Sequence, residues 1–384
     1  MNQPHHPADH FDTVVLGAGI AGASLAWHLA PLQRVALIER EDLPGRHATA
    51  RSAAMFIESY GPPAIRALTR ASRRFYTAPP AGFSDVPLLR PRATLYAAGP
   101  GQMDLLARSR DALQPACPEL RLLSTAQALA LAPCLRGDWL QAALLDPTAM
   151  DIDVHALHQG YLRGLRQQGG RLITGAELLT PRRHGQLWRL PLADGRCLQA
   201  ATMVNATGAW ADATAALFGA PPVGLVPRRR SAFTFDGPPG VSCSDWPAVV
   251  GIDESWYFKP DAGRLLGSPA NADACHAHDV MPEEVDIAEG IARIEAATTL
   301  RIRRPASTWA GLRSFVADGE PVIGADPHCA GLFWLAGQGG YGIQSADGAA
   351  RLAAALLLGR PLPDDLLQTE LNLPALLGPA RCRA

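Results

Sequence analysis

Lysine is almost absent from this sequence of 384 residues, in which Lys259 is the only lysine among 35 basic residues. That absence excludes a phosphate-binding loop ending in Gly-Lys-Ser or Gly-Lys-Thr, and it removes the candidates for most Schiff-base mechanisms. Cysteine is also sparse, with seven residues that are never spaced as Cys-x-x-Cys. An odd, scattered set of this kind indicates neither a disulfide framework nor a zinc site. We therefore expect a cytoplasmic, reducing environment.

Long apolar runs and a strong net charge are missing as well. The most apolar late stretch, residues 352–358, is far too short to span a bilayer, and the first residues lack the features of a secretory signal. The formal net charge of −1 gives no field that would gather nucleic acid or anionic lipid. We therefore expect two folded domains, no nucleic-acid partner and no integral membrane segment, with peripheral membrane association left open.

Apolar patterning predicts a strand, a helix and a second strand at the start of the chain. Residues 12–16 read as a buried strand, a helix follows to about residue 30, and residues 34–38 form the next strand. Residues 203–208 form a later strand that runs into a turn of small residues. Residues 231–267 alternate apolar residues with turn signals, which indicates an antiparallel sheet.

The turn between the first strand and its helix has the spacing Gly17-x-Gly19-x-x-Gly22. In a dinucleotide-binding unit the first glycine permits the tight turn, the second lets the backbone approach a pyrophosphate, and the third lets helix and strand pack closely. Glu39, about 20 residues further on, can accept hydrogen bonds from ribose hydroxyls, and its charge argues against the 2′-phosphate of NADP. The turn alone fits NAD and FAD equally well.

Motifs along the whole chain carry a more specific signal. They are residues 17–22, 39–40, 49–53, 146–153, 205–210, 309–315, 318–324 and 337–342. Together they resemble the D-amino acid oxidase (DAO) family of flavoproteins, and several stretches are most similar to bacterial FAD-dependent D-arginine dehydrogenases. The resemblance implies an α/β fold in which an FAD-binding Rossmann-like domain is interleaved with an antiparallel-sheet substrate domain, as in glutathione-reductase-like proteins.

The same resemblance implies non-covalent FAD, with its adenine over the N-terminal unit and its flavin ring at the domain boundary. It assigns residues 1–85, 146–222 and 310–384 to the FAD-binding domain, and residues 86–145 and 223–309 to the substrate domain. The cofactor-binding residues that it implies are Gly17, Gly19, Ile20, Ala21, Gly22, Glu39, Arg40, Thr49, Arg51, Ser52, Ala53, Thr207, Gly208, Gly337, Gly339, Gly340, Tyr341, Gly342 and Ile343.

The C-terminal glycine motif can also be interpreted from its own residues, without the resemblance. Gly339, Gly340 and Gly342 precede a helix predicted from about Ile343. Amide donors and a helix N-terminus there could stabilise negative charge on a reduced flavin. A glycine-rich turn without any ligand is the alternative from sequence alone.

Oxidation of an amino acid at Cα requires a clamped carboxylate, a neutral amine and a Cα–H bond that points at the flavin. The planar fork of arginine suits the carboxylate because it donates two parallel hydrogen bonds. The resemblance implies the catalytic residues Arg313, Arg230, Tyr60, Tyr257, Gly340 and Gln344. Without the resemblance, the arginines around Arg230 would be explained as a solvated basic edge. Tyr60 and Tyr257 would be explained as ordinary buried tyrosines.

The expected substrate pocket departs from that of relatives that prefer D-arginine. Where those relatives have a carboxylate for the guanidinium, this chain has Thr94, and Met55 and Ile57 replace histidine and threonine. Ala248 and Val250 complete an apolar wall. Because a guanidinium buried without a partner costs several kcal/mol, we expect a dehydrogenase that converts D-amino acids with neutral or apolar side chains to 2-oxo acids and uses D-arginine poorly.

Several alternatives stay open at this stage. Glu58 could reach the pocket and hold a basic side chain. The fold also serves amine oxidases that act on glycine or sarcosine, the glycine turn serves NAD-dependent dehydrogenases, and a flavin-bearing binding or tRNA-modification module is a third possibility that the near-neutral charge disfavours. The electron acceptor, a quinone or O2, leaves no motif. His155 and His158, like His276 and His278, have metal-binding spacing without further ligands, and we predict no metal site.

Overall fold

Strands gather into three sheets with helices between them in the computed structural model, which describes residues 9–115, 117–369 and 371–383. The strands are β1 (Asp9–Leu16), β2 (Val35–Ile38), β3 (Met55–Phe56), β4 (Leu89–Pro91), β5 (Thr94–Ala98), β6 (Arg121–Ser124), β7 (Ala142–Asp146), β8 (Met150–Ile152), β9 (Arg171–Ile173), β10 (Arg182–His184), β11 (Leu187–Pro191), β12 (Cys197–Asn205), β13 (Val226–Phe235), β14 (Ala248–Gly251), β15 (Tyr257–Asp261), β16 (Arg264–Ser268), β17 (Asp273–Ala274), β18 (Ser307–Phe315), β19 (Val322–Ala325) and β20 (Leu332–Ala336). The α-helices are α1 (Ile20–Leu29), α2 (Pro63–Thr77), α3 (Met103–Leu113), α4 (Thr125–Leu131), α5 (Val154–Gln167), α6 (Ala211–Leu217), α7 (Glu284–Ala297), α8 (Ala346–Leu358), α9 (Asp364–Leu367) and α10 (Leu373–Leu377).

The first sheet has a parallel centre in which β1 pairs with β2 on one side and with β12 on the other. β9 pairs in parallel with β2 and β20 with the end of β12, whereas β10, β11 and β19 add antiparallel strands. α1, α5 and α8 pack against this sheet around a core that includes Val15, Leu25, Tyr161 and Leu352. This arrangement confirms the predicted α/β fold with a Rossmann-like unit.

The second sheet runs in the order β17-β13-β16-β15-β14-β5-β7-β6, with β18 on the free side of β13. Most of its pairs are antiparallel, as predicted, although β14 and β5 pair in parallel. One face is apolar and buries Phe233, Val249, Phe258 and Leu95 in a core with Ile294 of α7.

The opposite face of the second sheet carries several residues that the sequence places in the site. Successive side chains of a strand alternate between faces, and directly paired residues share a face. The register pairs Thr94 with Ala248, Val250 with Tyr257 and Arg230 with Gly311. The residues of this face therefore include Thr94, Ala248, Val250, Tyr257, Arg230 and Arg313. Six residues that the sequence places in the site, scattered from 94 to 313, thus share one sheet face.

The third sheet is small and consists of β3, β8 and β4. Its Asp151, opposite Met55, accepts from Lys259 Nζ at 2.7 Å and from Arg92 Nε at 2.8 Å. Lys259 lies in β15 and is buried. The single lysine of the chain therefore ties the third sheet to the second, and the carboxylate between the two cations is neutralised.

One predicted helix start differs from the structure, and one domain bound stays a prediction. Residue 310, the proposed start of a domain segment, lies inside β18, which pairs with β13 along its whole length from Ser307 to Phe315. The last major helix begins at Ala346 rather than near Ile343. Ser345 has a non-helical conformation, with φ −101° and ψ 3°, and its hydroxyl bonds to the carbonyl of Tyr341 at 2.8 Å. The glycine motif is thus separated from the helix by a turn.

Candidate active site

Close backbone approach explains two of the three glycines in the turn after β1. Gly17 has φ +94°, and a Cβ on it would lie 2.7 Å from the carbonyl oxygen of Ala206. A Cβ on Gly22 would lie 1.9 Å from the carbonyl oxygen of Gly17. Gly19 is less constrained, since its φ is −70° and a Cβ would meet Thr49 Oγ1 at 3.2 Å. The turn therefore requires glycine at positions 17 and 22, whereas Gly19 lines the cavity described below.

Side chains from three other segments hold this turn in place. Glu39 Oε2 accepts from the Ala18 amide at 2.8 Å, and Thr49 Oγ1 accepts from the Ile20 amide at 3.0 Å. The Ala18 carbonyl lies 2.9 Å from Nε2 of His158, a buried residue of α5. His158 thus donates as a neutral imidazole, and burial lowers its pKa from the ordinary value. Sequence reasoning did not assign His158 this role; it noted only that His155 and His158 have metal-binding spacing without further ligands.

A cavity of about 440 Å³ extends from the glycine turn to the functional face of the second sheet. The predicted residues on its wall are Gly17, Gly19, Ile20, Ala21, Glu39, Arg40, Thr49, Arg51, Ser52, Ala53, Thr207, Gly208, Arg230, Tyr257, Arg313, Gly339, Gly340, Gly342 and Ile343. The predicted residues outside this wall are Gly22, Gly337, Tyr341, Tyr60 and Gln344, together with all five residues predicted for the substrate pocket, Met55, Ile57, Thr94, Ala248 and Val250. The sequence-predicted cofactor residues and the two arginines therefore border one continuous space.

Other wall residues were not predicted as site residues. Trp210 ends the short 3-10 helix (Gly208–Trp210) that follows β12. The centre of its ring lies 4.7 Å from that of the His47 ring and 4.8 Å from the Arg40 guanidinium. Residues 176–178, after β9, close the same end of the cavity. Trp210 stands in one of the family motifs, so a signal for it existed. Residues 176–178 carry no motif and reach the cavity only because β9 pairs with β2.

Arg230 and Arg313 lie together at the other end of the cavity. Burial, reinforced by the neighbouring charge of Arg313, lowers the pKa of Arg230. Arg230 Nε donates to the carbonyl of Asn271 at 2.6 Å, and a Cβ on Gly340 would lie 2.7 Å from Arg313 Nη1. Across the described residues, no carboxylate lies within 4.0 Å of either guanidinium. Two half-buried cations without an acidic partner form a site for an anion.

The remaining predicted residues surround this pair in different ways. The rings of Tyr60 and Tyr341 meet edge to face with their centres 4.9 Å apart. Gln344 is buried, and its amide accepts from the Ile57 amide at 3.4 Å and donates to Thr69 Oγ1 at 3.1 Å and the Tyr60 carbonyl at 3.3 Å. Its groups are thus engaged in holding the loop that carries Tyr60.

A dinucleotide cavity that ends at an anion site on a second sheet is the architecture of a dinucleotide-dependent oxidoreductase. The sequence profile of the FAD dependent oxidoreductase family, DAO, matches residues 12–356. The chain therefore belongs to that family, and its cofactor is FAD. The glycine turn and Glu39 lie on the wall of the same cavity as the arginine pair, and these two features fit the adenosine and pyrophosphate end of an FAD.

Individual relatives are distant in sequence and similar in fold. The mitochondrial dimethylglycine dehydrogenase of Rattus norvegicus is 26% identical over 95% of this chain, which spans 45% of that protein. The glycine oxidase of Bacillus licheniformis is 24% identical over 93% of this chain and 96% of that protein. The solved structure of L-proline dehydrogenase from P. horikoshii superposes with a TM-score of 0.82 at 19% identity and covers 98% of both chains. None of these three is named a D-amino acid dehydrogenase.

Membrane-spanning and metal-binding features were also sought in the part of the chain that the structure describes. None of its helices has the length and apolarity needed to cross a bilayer. No group of three or more potential ligands is arranged there to hold a metal ion. His276 and His278 stack with ring centres 4.4 Å apart.

Alanine substitutions at Gly19 and at Gly22 are expected to separate an effect on FAD binding from an effect on folding. Gly22→Ala has no room for its methyl group, and we expect it to lower the stability of the apoprotein by about 1–3 kcal/mol. Gly19→Ala keeps an allowed backbone conformation and faces the cavity, so we expect near-normal apoprotein stability with FAD affinity weakened about tenfold or more. Thermal unfolding and FAD titration of both apoproteins measure the two effects. Equal loss of stability in both variants would contradict this geometry.

Acidification should weaken the support of the glycine turn through His158. Its pKa in the folded protein lies below the unfolded value of about 6.5, so the unfolded chain binds the proton first and the free energy of unfolding falls as the pH drops below about 6.5. His158→Gln keeps a donor for Ala18 without a titrating group and should flatten this dependence. Unfolding temperatures between pH 7.5 and 5 test it, with exposed His184→Gln as the control that keeps the wild-type slope.

Proposed function

We propose that this protein is an FAD-dependent D-amino acid dehydrogenase that converts D-amino acids to imino acids, which water hydrolyses to 2-oxo acids. The observation that carries the proposal is the pair of guanidiniums of Arg230 and Arg313, which face the flavin end of the cofactor cavity without a carboxylate partner among the described residues. Such a pair would hold the carboxylate of an amino acid at a fixed distance from the cofactor.

The residues of the site orient the substrate in this proposal. When bound, FAD supplies a two-electron acceptor for the hydride of Cα. Arg313 grips the carboxylate with its planar fork and Arg230 adds a second positive charge, while Tyr257, on the same sheet face, donates from its hydroxyl. The backbone of Gly340 lies beside Arg313, and in this proposal its carbonyl accepts from the amine. Because the amine reacts in its neutral form, no strong base is needed.

The surroundings of the pocket favour a substrate side chain without charge. Thr94, Ala248 and Val250 share the sheet face with the arginines, and the neighbouring carboxylate of Asp151 is paired with Lys259 and Arg92. Glu58, the alternative partner for a basic side chain, instead accepts from Arg73 Nε at 2.6 Å. Position 94 itself offers a guanidinium no carboxylate, and Asp146 of β7, which pairs with Thr94, is buried and accepts from Ser59 Oγ at 2.9 Å and from Thr148 Oγ1 at 2.7 Å. We therefore propose neutral or apolar D-amino acids as substrates and poor use of D-arginine.

A glycine- or sarcosine-type amine oxidase on the same fold is the second candidate. The names of two relatives, glycine oxidase and dimethylglycine dehydrogenase, favour a small or N-methylated amine. Both candidates would hold the substrate carboxylate with Arg230 and Arg313. They differ in the amine that they oxidise and in the electron acceptor. Hydrogen peroxide formed stoichiometrically in air would identify an oxidase.

Anaerobic bleaching of the flavin tests the substrate class directly. The FAD-loaded protein is mixed with D- and L-amino acids, glycine and sarcosine, and the rate of flavin reduction is followed. We expect rapid reduction by neutral and apolar D-amino acids, at least about tenfold slower reduction by D-arginine because its charge lacks a partner, and none by the L-enantiomers. The highest specificity constant for D-arginine would refute the side-chain assignment, and reduction by glycine or sarcosine alone would favour the second candidate.

Substitution of Arg313 should lower kcat/KM far more than substitution of the neighbouring Arg228. Arg313→Met deletes a bidentate, charge-assisted contact, so we expect kcat/KM to fall about 100- to 1,000-fold. Arg313→Lys keeps the charge without the fork and should lie between. Arg228→Gln is the matched control, since Arg228 lies opposite Arg313 in β13 but is exposed, and its kcat/KM should stay within about threefold. A small effect of Arg313→Met with retained FAD would remove the basis of the proposal.

A further inference from the structure

Residues 275–283, which link β17 to α7, form a strap that contributes to the wall of the cofactor cavity. Both ends of the strap are attached to β13 of the second sheet. At the first end the Cys275 amide donates to the Pro227 carbonyl at 3.0 Å, and at the last end the Glu283 carboxylate accepts from Arg229. The strap thus leaves the second sheet and returns to it, so its middle is the part that can reach another region of the protein.

The middle of the strap borders the cavity and packs on residues around it. His278 and Val280 are wall residues. Val280 is also buried, in an apolar cluster with Ala310 and Leu312 of β18 and with Ala209, which follows β12. Because β18 belongs to the second sheet and β12 to the first, the strap contacts both halves of the protein.

Opposite charges fasten the middle of the strap to the segment between β2 and β3. Asp279 accepts from Arg51 Nη2, and Arg46 Nη2 lies 3.5 Å from the same carboxylate. Arg51 Nη1 donates to two carbonyls, that of Val280 at 2.9 Å and that of Ala310 at 3.1 Å. The hydrogen bond from Arg51 lowers the pKa of Asp279 from its ordinary value. Since Arg46 and Arg51 are themselves wall residues, this contact closes the wall at the strap.

We propose that the strap retains FAD in its cavity and that the ion pair of Asp279 with Arg51 is the latch that keeps the strap closed. Because strap residues form part of the wall, release of the latch would open a path between the cavity and solvent. Arg51 is then a positioning residue, since both hydrogens of its Nη1 and one of its Nη2 are donated to the strap and to β18. The latch acts on the cofactor whichever amine is oxidised, so a wrong substrate class would leave this inference intact.

The sign of the effect distinguishes a latch from a simple charge effect. Asp279 is negative, and a negative charge beside the cavity repels the phosphates of FAD. Loss of this charge alone would therefore slow the release of FAD, whereas loss of the latch speeds it up.

The rate of FAD release tests the latch. The holoenzyme is diluted, and the rise in fluorescence of free FAD is followed. In Asp279→Asn, which keeps the size of the side chain, we expect FAD to dissociate about three- to tenfold faster at low ionic strength, as for the loss of a partly exposed ion pair. Because salt screens exposed charges, about 0.5 M NaCl should speed release from wild type and reduce the difference to less than about twofold.

The rate of FAD association separates a latch from a direct contact with the cofactor. An open strap eases both entry and exit, so apoprotein of Asp279→Asn should bind FAD with a rate constant raised about threefold or more. Loss of a contact with FAD would speed up release alone. An association rate constant equal to that of wild type would therefore overturn the latch.

Glu283 supplies the matched control. It is exposed and lies in the same strap, but its ion pair with Arg229 joins the strap to the second sheet. Glu283→Gln removes the same charge and should leave both rate constants within about twofold of wild type. Amide hydrogen exchange of the strap in the apoproteins should be faster in Asp279→Asn than in wild type or Glu283→Gln. An unchanged release rate in Asp279→Asn, or equal acceleration in both variants, would overturn the inference.

Discussion

The pairing of β13 with β18 brings two like charges, Arg230 and Arg313, to the same face of a sheet. Their repulsion and partial burial are unfavourable unless an anion binds between them. Glycine at two points makes the arrangement possible: Gly311 opposite Arg230 leaves space beside its side chain, and Gly340 lets the backbone come within contact of Arg313. The rest of the site depends on this pair, because it sets where a carboxylate can lie.

The first sheet carries the residues that would position the cofactor relative to the arginine pair. β1, the glycine turn and α1 fix the phosphate end of the cofactor, and Glu39 and His158 hold the turn through Ala18. From there a continuous cavity leads to the arginine pair, so both sheets border the proposed cofactor site. The ion triad of Asp151, Lys259 and Arg92 adds a direct link between the second and third sheets beside the pocket. The distance between flavin and carboxylate is thus set by both halves of the protein.

The features that the sequence predicts correctly depend on residues that lie close together along the chain. The turn at Gly17 to Gly22 and the carboxylate at Glu39 are separated by a fixed strand, turn and helix, so spacing alone identifies them. The convergence of Arg230 and Arg313 requires the register of two strands about 80 residues apart, and only resemblance to a family indicated it. The late start of α8 was missed because the turn at Ser345, whose amide and hydroxyl both donate to the Tyr341 carbonyl, carries no signal in the sequence.

A crystal structure of the FAD complex with pyruvate, a simple 2-oxo acid, tests the central claim most directly. The account predicts that the carboxylate of pyruvate accepts two hydrogen bonds from Arg313, with N···O distances of about 2.7–3.2 Å, and that its carbonyl carbon faces the flavin ring. A flavin ring placed away from Gly340, or an Arg313 that pairs with a protein carboxylate while pyruvate lies elsewhere, would contradict it.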